Sequence, residues 1–407
     1  MDLTEPPPFP GQNAPIEFTG EDAAFRRLVV RGTLLELVTF GFYRFWLTTD
    51  IRRHLWSNTE IDGDAMEYIG RGKELLFGFL IALAILVPAF VAYTLAGIAA
   101  ERYKAFASVP LYAVLFLFGQ FAVFRARRYR LTRTIWRGVR FWMTGSGWLY
   151  ALRAAVWVIP VMLTLGFAYP WQMASLERYK FRHTHYGSLP ARFEATGGQL
   201  FKQVWWVWLL GLSAPVAIFG GSILAVVAQW RGDGPTDGMM IAAGLLFFAG
   251  FVSVTCLPFL HATRKAIEWR WWMNGIRIGD AQIRCSLPSG GLIGVYWTMI
   301  GLCVLASVGW SVCGGIVAGV AYFALKSVAS PTLPAVLGQI LGVVWYIAII
   351  LTTGVIARIY LMQRVWRTVA RSCTLHEIGA LSNVAAAGEA ASALGEGLAD
   401  GLDFAGF

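Results

Sequence analysis

Residues 125–140 read Arg125-Ala-Arg127-Arg128-Tyr-Arg130-Leu-Thr-Arg133-Thr-Ile-Trp136-Arg137-Gly-Val-Arg140, and they follow directly on 108–124, a run without one charged residue. An uncharged run that ends in clustered arginines is the signature of a helix leaving the bilayer on its cytoplasmic face. With Arg153 added, 125–153 carries eight arginines and no acid. The chain is therefore read with the bilayer as its solvent.

Outward from this block, the runs 75–100, 204–229, 239–260, 291–325 and 334–357 also lack Asp, Glu, Lys and Arg. Each exceeds the roughly 20 apolar residues that a spanning helix needs. Together with 108–124 they predict six transmembrane helices. With 57% hydrophobic and 14% charged residues and a mean hydropathy of +0.57, the composition fits no ordinary soluble domain. The net charge of +10 sits at span ends and no nucleic-acid motif accompanies it, so the expected partner is anionic lipid headgroups and not nucleic acid. Five cysteines without a CxxC pair predict neither a disulfide framework nor a thiolate metal site, and no cofactor is implied.

Basic, aromatic helix ends recur along the chain. They read Arg53-His-Leu-Trp56-Ser-Asn58, Arg133-Thr-Ile-Trp136-Arg-Gly138, Arg178-Tyr-Lys-Phe181-Arg-His183, Arg270-Trp-Trp-Met273-Asn-Gly275 and, more weakly, Arg367-Thr-Val-Ala370-Arg-Ser372. Alternating stretches with Asp62-Gly63 or Gly279-Asp280 turns follow, which are hairpin signals. Strands cannot stand open in hydrocarbon, so these predict a small β-hairpin layer on the cytoplasmic side. A finer repeat, Thr-x-Gly-Phe-x-x-x-Trp, occurs at Thr39/Gly41/Trp46 and at Thr164/Gly166/Trp171.

Hydropathy alone would make 154–176 a span, whereas the matching 32–43 is too short and holds Glu36. If either crossed fully, a later arginine block would face outward, against the charge rule. Both are therefore expected to be re-entrant or interfacial, turning at Gly41 and Gly166 and restarting at Trp46 and at Pro170-Trp171, proline being suited to a helix's first turn. The fold class expected is an all-α polytopic membrane protein with six spans, two re-entrant elements and internal repeats. Its units are a disordered N-terminus 1–15, repeat A 16–137, repeat B 138–273, repeat C 274–381 and a flexible acidic tail 382–407.

These blocks resemble the YjgN-like family of bacterial inner-membrane proteins, a domain of unknown function. The resemblance is carried by Phe18-Thr-Gly20, Thr39-Phe-Gly41 with Trp46, Arg52-Arg53-His-Leu-Trp56-Ser-Asn58-Thr59, Asp62-Gly63, and 164–171 with Arg178-Tyr179 and His183-Thr184, over about 18–384. It implies a multi-pass protein of the bacterial cytoplasmic membrane and no particular reaction.

Glu36 is an acid within a membrane element, read either as a proton or cation site paired with Arg31 or Arg153, or as a carboxylate facing water at the interface. Gln120 and Gln339 complete the candidate polar pathway. Arg53, Arg127, Arg128, Arg133, Arg178 and Arg270 are candidate contacts to anionic lipid, or simply orientation signals and snorkelling ends. His183-x-His185 is half a metal site at most, and no third ligand has the spacing. The chain contains no nucleophile elbow, HExxH, phosphate cradle or kinase set. A non-enzymatic role follows, in transport of a small or lipid-like solute, with a membrane scaffold or anionic-lipid binder as the alternative.

Overall fold

Each basic helix end passes within one residue into a strand, and that junction, repeated five times, organises the molecule. The computed structural model describes residues 13–99, 104–230, 237–325, 332–382 and 384–388. The strands are β1 Ala14–Phe18, β2 Thr59–Ile61, β3 Asp64–Ala65, β4 Glu67–Tyr68, β5 Thr134–Trp136, β6 Val139–Met143, β7 Thr184–Tyr186, β8 Leu189–Phe193, β9 Ile276–Ile278, β10 Ala281–Cys285 and β11 Cys373–His376. The helices are α1 Asp22–Val38, α2 Arg44–Ser57, α3 Gly72–Ala99, α4 Lys104–Thr132, α5 Gly147–Leu163, α6 Tyr169–Arg182, α7 Gly197–Trp230, α8 Asp237–Asn274, α9 Ile293–Leu325, α10 Thr332–Ala357 and α11 Val365–Arg371. A π-helical segment, Arg358–Arg364, joins α10 to α11. Segment 1–15 and the tail 382–407 lie largely outside the described residues.

All strands join one antiparallel sheet in the order β3-β2-β1-β11-β10-β9-β8-β7-β6-β5-β4. Its end strands β3 and β4 are successive parts of one extended segment split at Met66, whose N–H donates to the Thr59 carbonyl at 3.0 Å. The sheet is thus a nearly closed barrel of eleven strands, which corrects the expected small hairpin layer and the all-α class. Closure removes the free edges that a layer of hairpins would expose.

The tight turns that permit it are local. Asp62/Gly63 have φ of 56° and 79°, and Arg137/Gly138 have 48° and 73°, as a two-residue type I′ hairpin turn requires.

Each helix pair is bracketed by two strands that pair with each other. β1 and β2 flank α1–α2, β4 and β5 flank α3–α4, β6 and β7 flank α5–α6, β8 and β9 flank α7–α8, and β10 and β11 flank α9 to α11. At every junction one backbone bond recurs. The N–H groups of Thr19, Ile69, Thr144, Glu194 and Ser286 donate to the carbonyls of Asn58, Arg133, His183, Gly275 and Ser372, at 2.8–3.0 Å. The result is a ring of five helical pairs standing on a ring of strands.

Five helices among the described residues are long and apolar enough to cross a membrane: Gly72–Leu95, Gly197–Trp230, Gly238–Asn274, Ile293–Ala321 and Gly338–Arg371. Their side chains are largely exposed and apolar, such as Phe248 at 65% and Val320 at 65%, the composition of a membrane protein and not of a water-exposed surface. Six were expected. The sixth run lies in α4, where Ala122, Phe124, Ala126 and Tyr129 are fully buried inside the protein.

The pairs α1–α2 and α5–α6 are short helical hairpins with matching tips. Thr39 and Thr164 hydroxyls donate to the Leu35 and Pro160 carbonyls at 2.7 Å and accept the Tyr43 and Ala168 N–H groups at 2.9 Å. Gly41 and Gly166 hold φ of 90° and 91°. Helix resumes at Arg44, two residues before the Trp46 inferred from sequence, and at Tyr169, one residue before Pro170, which takes its place in the first turn.

A Cβ at Gly41 would meet no atom within 4 Å, so Gly41→Ala isolates the backbone cost of the left-handed conformation. We expect a loss of about 1 kcal/mol, read as a lower midpoint for thermal unfolding of the full chain in detergent. An unchanged midpoint would mean that the tip relaxes freely.

A chamber between the strand ring and the helix ends

Counting back from the first strand residue aligns the five helix ends. Thr59, Thr134, Thr184, Ile276 and Cys373 begin the strands and are all buried. Six positions earlier stand Arg53, Arg128, Arg178, Arg270 and Arg367. Four of these donate to the carbonyl where a strand gives way to its helix: Arg53 to Gly70 (3.3 Å), Arg178 to Ala195 (3.3 Å), Arg270 to Leu287 (3.2 Å) and Arg367 to Gly20 (2.6 Å). In α4 the equivalent residue is Arg128, not Arg133, and the Arg128 Nε is buried without a partner among the described residues. Arg133 occupies the linking position and pairs with Glu74 at 2.7 Å. The remaining lipid-contact candidate, Arg127, pairs with Glu177.

One position further back stand Arg52, Arg127, Glu177, Trp269 and Trp366, of which Arg127, Trp269 and Trp366 border a cavity. Between these turns and the sheet lies this cavity, of about 350 Å³. Its walls are Trp56, Trp136, Trp269, Trp272 and Trp366 with Met66, Met273 and inward strand residues including Ile61, Phe141, Ile278 and Leu375. Arg127 and Arg130 also border it. Eighteen tryptophans suggested an interfacial belt from sequence, yet several of them wall this chamber.

At the chamber's edge lies a buried charge cluster. Glu177 accepts from Arg127 at 3.0 Å, from the Trp272 Nε1 at 3.0 Å and from Lys180. The Arg127 guanidinium lies over Phe181 at 4.6 Å and Trp272 at 5.7 Å. Burial by itself raises a carboxyl, but Lys180 and Arg127 overcome it and bring Glu177 down to about 2. Burial also depresses the Lys180 ammonium, which Glu177 opposes. Arg130 lies close enough to Lys180 to lower it further, and it borders the chamber.

Sequence reading missed Glu177. Its signal was present: it is the sole acid between Glu101 and Glu194, amid the densest arginines of the chain.

Glu36 pairs with Arg358 at 2.6 and 3.3 Å, not with Arg31 or Arg153. Arg358 opens the π-helical segment and also reaches Thr33 at 3.4 Å. Gln120 is half-buried on α4 and Gln339 exposed on α10, and among the described residues neither makes a side-chain hydrogen bond to that pair. The structure therefore does not assemble these three into one pathway.

His183 caps α6 against Thr144 at 3.3 Å, while His185 stacks on Trp142 at 4.4 Å. No metal-ligand cluster occurs among the described residues. A second, open cleft of about 760 Å³ lies along α1–α2 by Arg27, Arg31, Asp50, Arg53 and His54.

A family model described as a bacterial protein of unknown function (DUF898) matches residues 13–401. No curated protein and no solved structure is similar to the chain.

Proposed function

Since this chain belongs to the bacterial DUF898 family, whose function is unknown, we propose that it takes a lipid-like anionic amphiphile into the chamber, as a transporter of such molecules in the cytoplasmic membrane. The observation that carries this reading is an apolar, tryptophan-lined cavity of about 350 Å³ beneath membrane-length helices, with Arg127 and Arg130 at its edge. Pockets of this size and character suit small apolar ligands. Each methylene withdrawn from water contributes about 0.8 kcal/mol, and guanidinium groups on the wall favour an anionic head over a neutral one.

The same arginines support the placement of the sheet in the cytoplasm, since basic helix ends stay on that side. Most basic helix ends are engaged in intramolecular bonds, which favours the chamber over a flat lipid-binding surface.

The test uses a fluorescent long-chain fatty acid that quenches tryptophan, titrated into the detergent-solubilised full chain. Ala191 borders the chamber and is 3% exposed. We expect Ala191→Trp to weaken binding about tenfold or more, equivalent to about 1.4 kcal/mol, while Phe40→Ala at an outer tip leaves it unchanged. Arg130→Gln should reduce the preference for the acid over its methyl ester. Equal affinity for wild type and Ala191→Trp would remove the chamber as the binding site.

A further inference from the structure

At four of the five junctions the residue ending one strand faces the residue beginning the next as a large apolar group against Thr or Ile. The pairs are Phe18 with Thr59, Tyr68 with Thr134, Met143 with Thr184 and Phe193 with Ile276. At the fifth junction both places are cysteine: Cys285 on β10 faces Cys373 on β11 in register. They lie 88 residues apart and share no sequence motif, so only the fold brings them together.

The local backbone favours a bond between them. Ser286 N–H donates to the Ser372 carbonyl at 2.8 Å, and the Cys285 N–H turns to Asn274 Oδ1 at 2.7 Å. Cys285 and Cys373 are thus a non-hydrogen-bonded antiparallel pair, the narrow kind with Cα atoms about 4.5 Å apart. That spacing falls within the range a disulfide can bridge, roughly 4.4–6.8 Å. Both thiols are free and face each other across the ladder.

We propose that Cys285 and Cys373 are a modification site, oxidised reversibly to a disulfide by a small hydroperoxide. Cys285 is the nucleophile: the neighbouring Cys373 thiol, then the Leu287 backbone and Arg270, outweigh burial and lower its thiol below the ordinary range. The Cys285 thiol and burial raise Cys373, which stays protonated. A thiolate, not a thiol, is the attacking form. The Cys285 thiolate attacks a peroxide oxygen, the O–O bond breaks, and the departing oxygen takes up a proton, leaving a sulfenic acid. The Cys373 sulfur then forms the S–S bond, loses its proton, and displaces the hydroxyl as water. Each sulfur is oxidised by one electron, and hydrogen peroxide is reduced to two waters.

Both side chains are buried, at 6% and 1% exposure; Cys373 borders the chamber, which admits a water-sized oxidant, and Cys285 stands beside it on the neighbouring strand. The bond would lock the last strand to the strand before it, beside the chamber wall. The site does not depend on what the chamber binds.

The test is peroxide treatment of the full chain with Cys256, Cys303 and Cys313 replaced by Ala, followed by alkylation and non-reducing peptide mapping. The expected result is a Cys285–Cys373 cross-linked peptide in more than half the molecules, an intact mass lower by two hydrogens, and reversal by dithiothreitol. Cross-linking should quicken as pH rises, and Cys373→Ser should leave Cys285 as a sulfenic acid that dimedone captures. Separate alkylation of both cysteines, or their separate over-oxidation, under conditions that fully oxidise a free dithiol would overturn the proposal.

Discussion

Replacing Glu177 by Ala should destabilise the protein by about 3–5 kcal/mol, because it leaves Arg127 and Lys180 buried beside each other with no counter-charge. The ion pair need not be a large net stabiliser for this to hold. Desolvation of three charged groups has already been met in the native state, and removing one partner leaves the others uncompensated. Glu177→Gln keeps the shape and an acceptor for Trp272, so its loss should be smaller.

Acid narrows the gap between wild type and Glu177→Gln. A carboxyl at about 2 in the folded chain against 4.5 as the ordinary value corresponds to about 3 kcal/mol. Since the folded value is the depressed one, this stabilisation is fully present above about pH 4.5 and is lost as pH falls towards 2. Thermal unfolding of the full chain in detergent between pH 3 and pH 7 should show wild type losing its advantage over Glu177→Gln within that window. Parallel curves would mean that Glu177 does not carry the acid sensitivity.

The local devices of this fold were legible in the residues. Thr39 and Thr164 capping a helix ahead of Gly41 and Gly166, and the Asp62-Gly63 hairpin, each work within a few positions, so their spacing was enough to read them. The arginine repeat was legible but misaligned at one helix. With Arg125, Arg127, Arg128, Arg130 and Arg133 all available, Trp136 drew the motif forward onto what is β5.

The closed sheet was not legible. Alternation tells which side chains share a face, whereas closure depends on pairings such as Ala14 with Leu375 that no local pattern encodes. Glu36 shows the same limit: arginines near in sequence or repeat were the natural partners, and the one it meets is Arg358, 322 positions away. For the chamber, the tryptophan count suggested depth in the bilayer, and only the ring geometry turned several of those rings inward.

That closure rests on the seam between the two ends of the chain, and it should open when Arg367 and Arg371 are both replaced by Ala. β1 meets β11 through only two residue pairs, Ala14 with Leu375 and Pro15 with Thr374, and Pro15 has no N–H to give the ladder. Side chains of the C-terminal segment compensate. Arg367 donates to the Gly20 carbonyl at 2.6 Å, pairs with Asp22 at 2.7 Å and lies over Phe18 at 5.3 Å. Arg371 donates to the Phe18 carbonyl at 3.3 Å, and Trp366 to the Thr59 hydroxyl at 2.9 Å. A hydrogen bond from a charged donor is worth about 1.5–3 kcal/mol, so the double variant should lose about 3–5 kcal/mol of closure. Arg53 makes the equivalent bond to Gly70 within one continuous stretch of chain, so Arg53→Ala weakens a junction that the covalent chain already holds. Limited proteolysis of the full chain should therefore release the N-terminal strand from Arg367→Ala/Arg371→Ala much faster than from Arg53→Ala. Equal rates would show that the pairing of β1 with β11 needs no side-chain clasp, and that the ring is held shut by its helices instead.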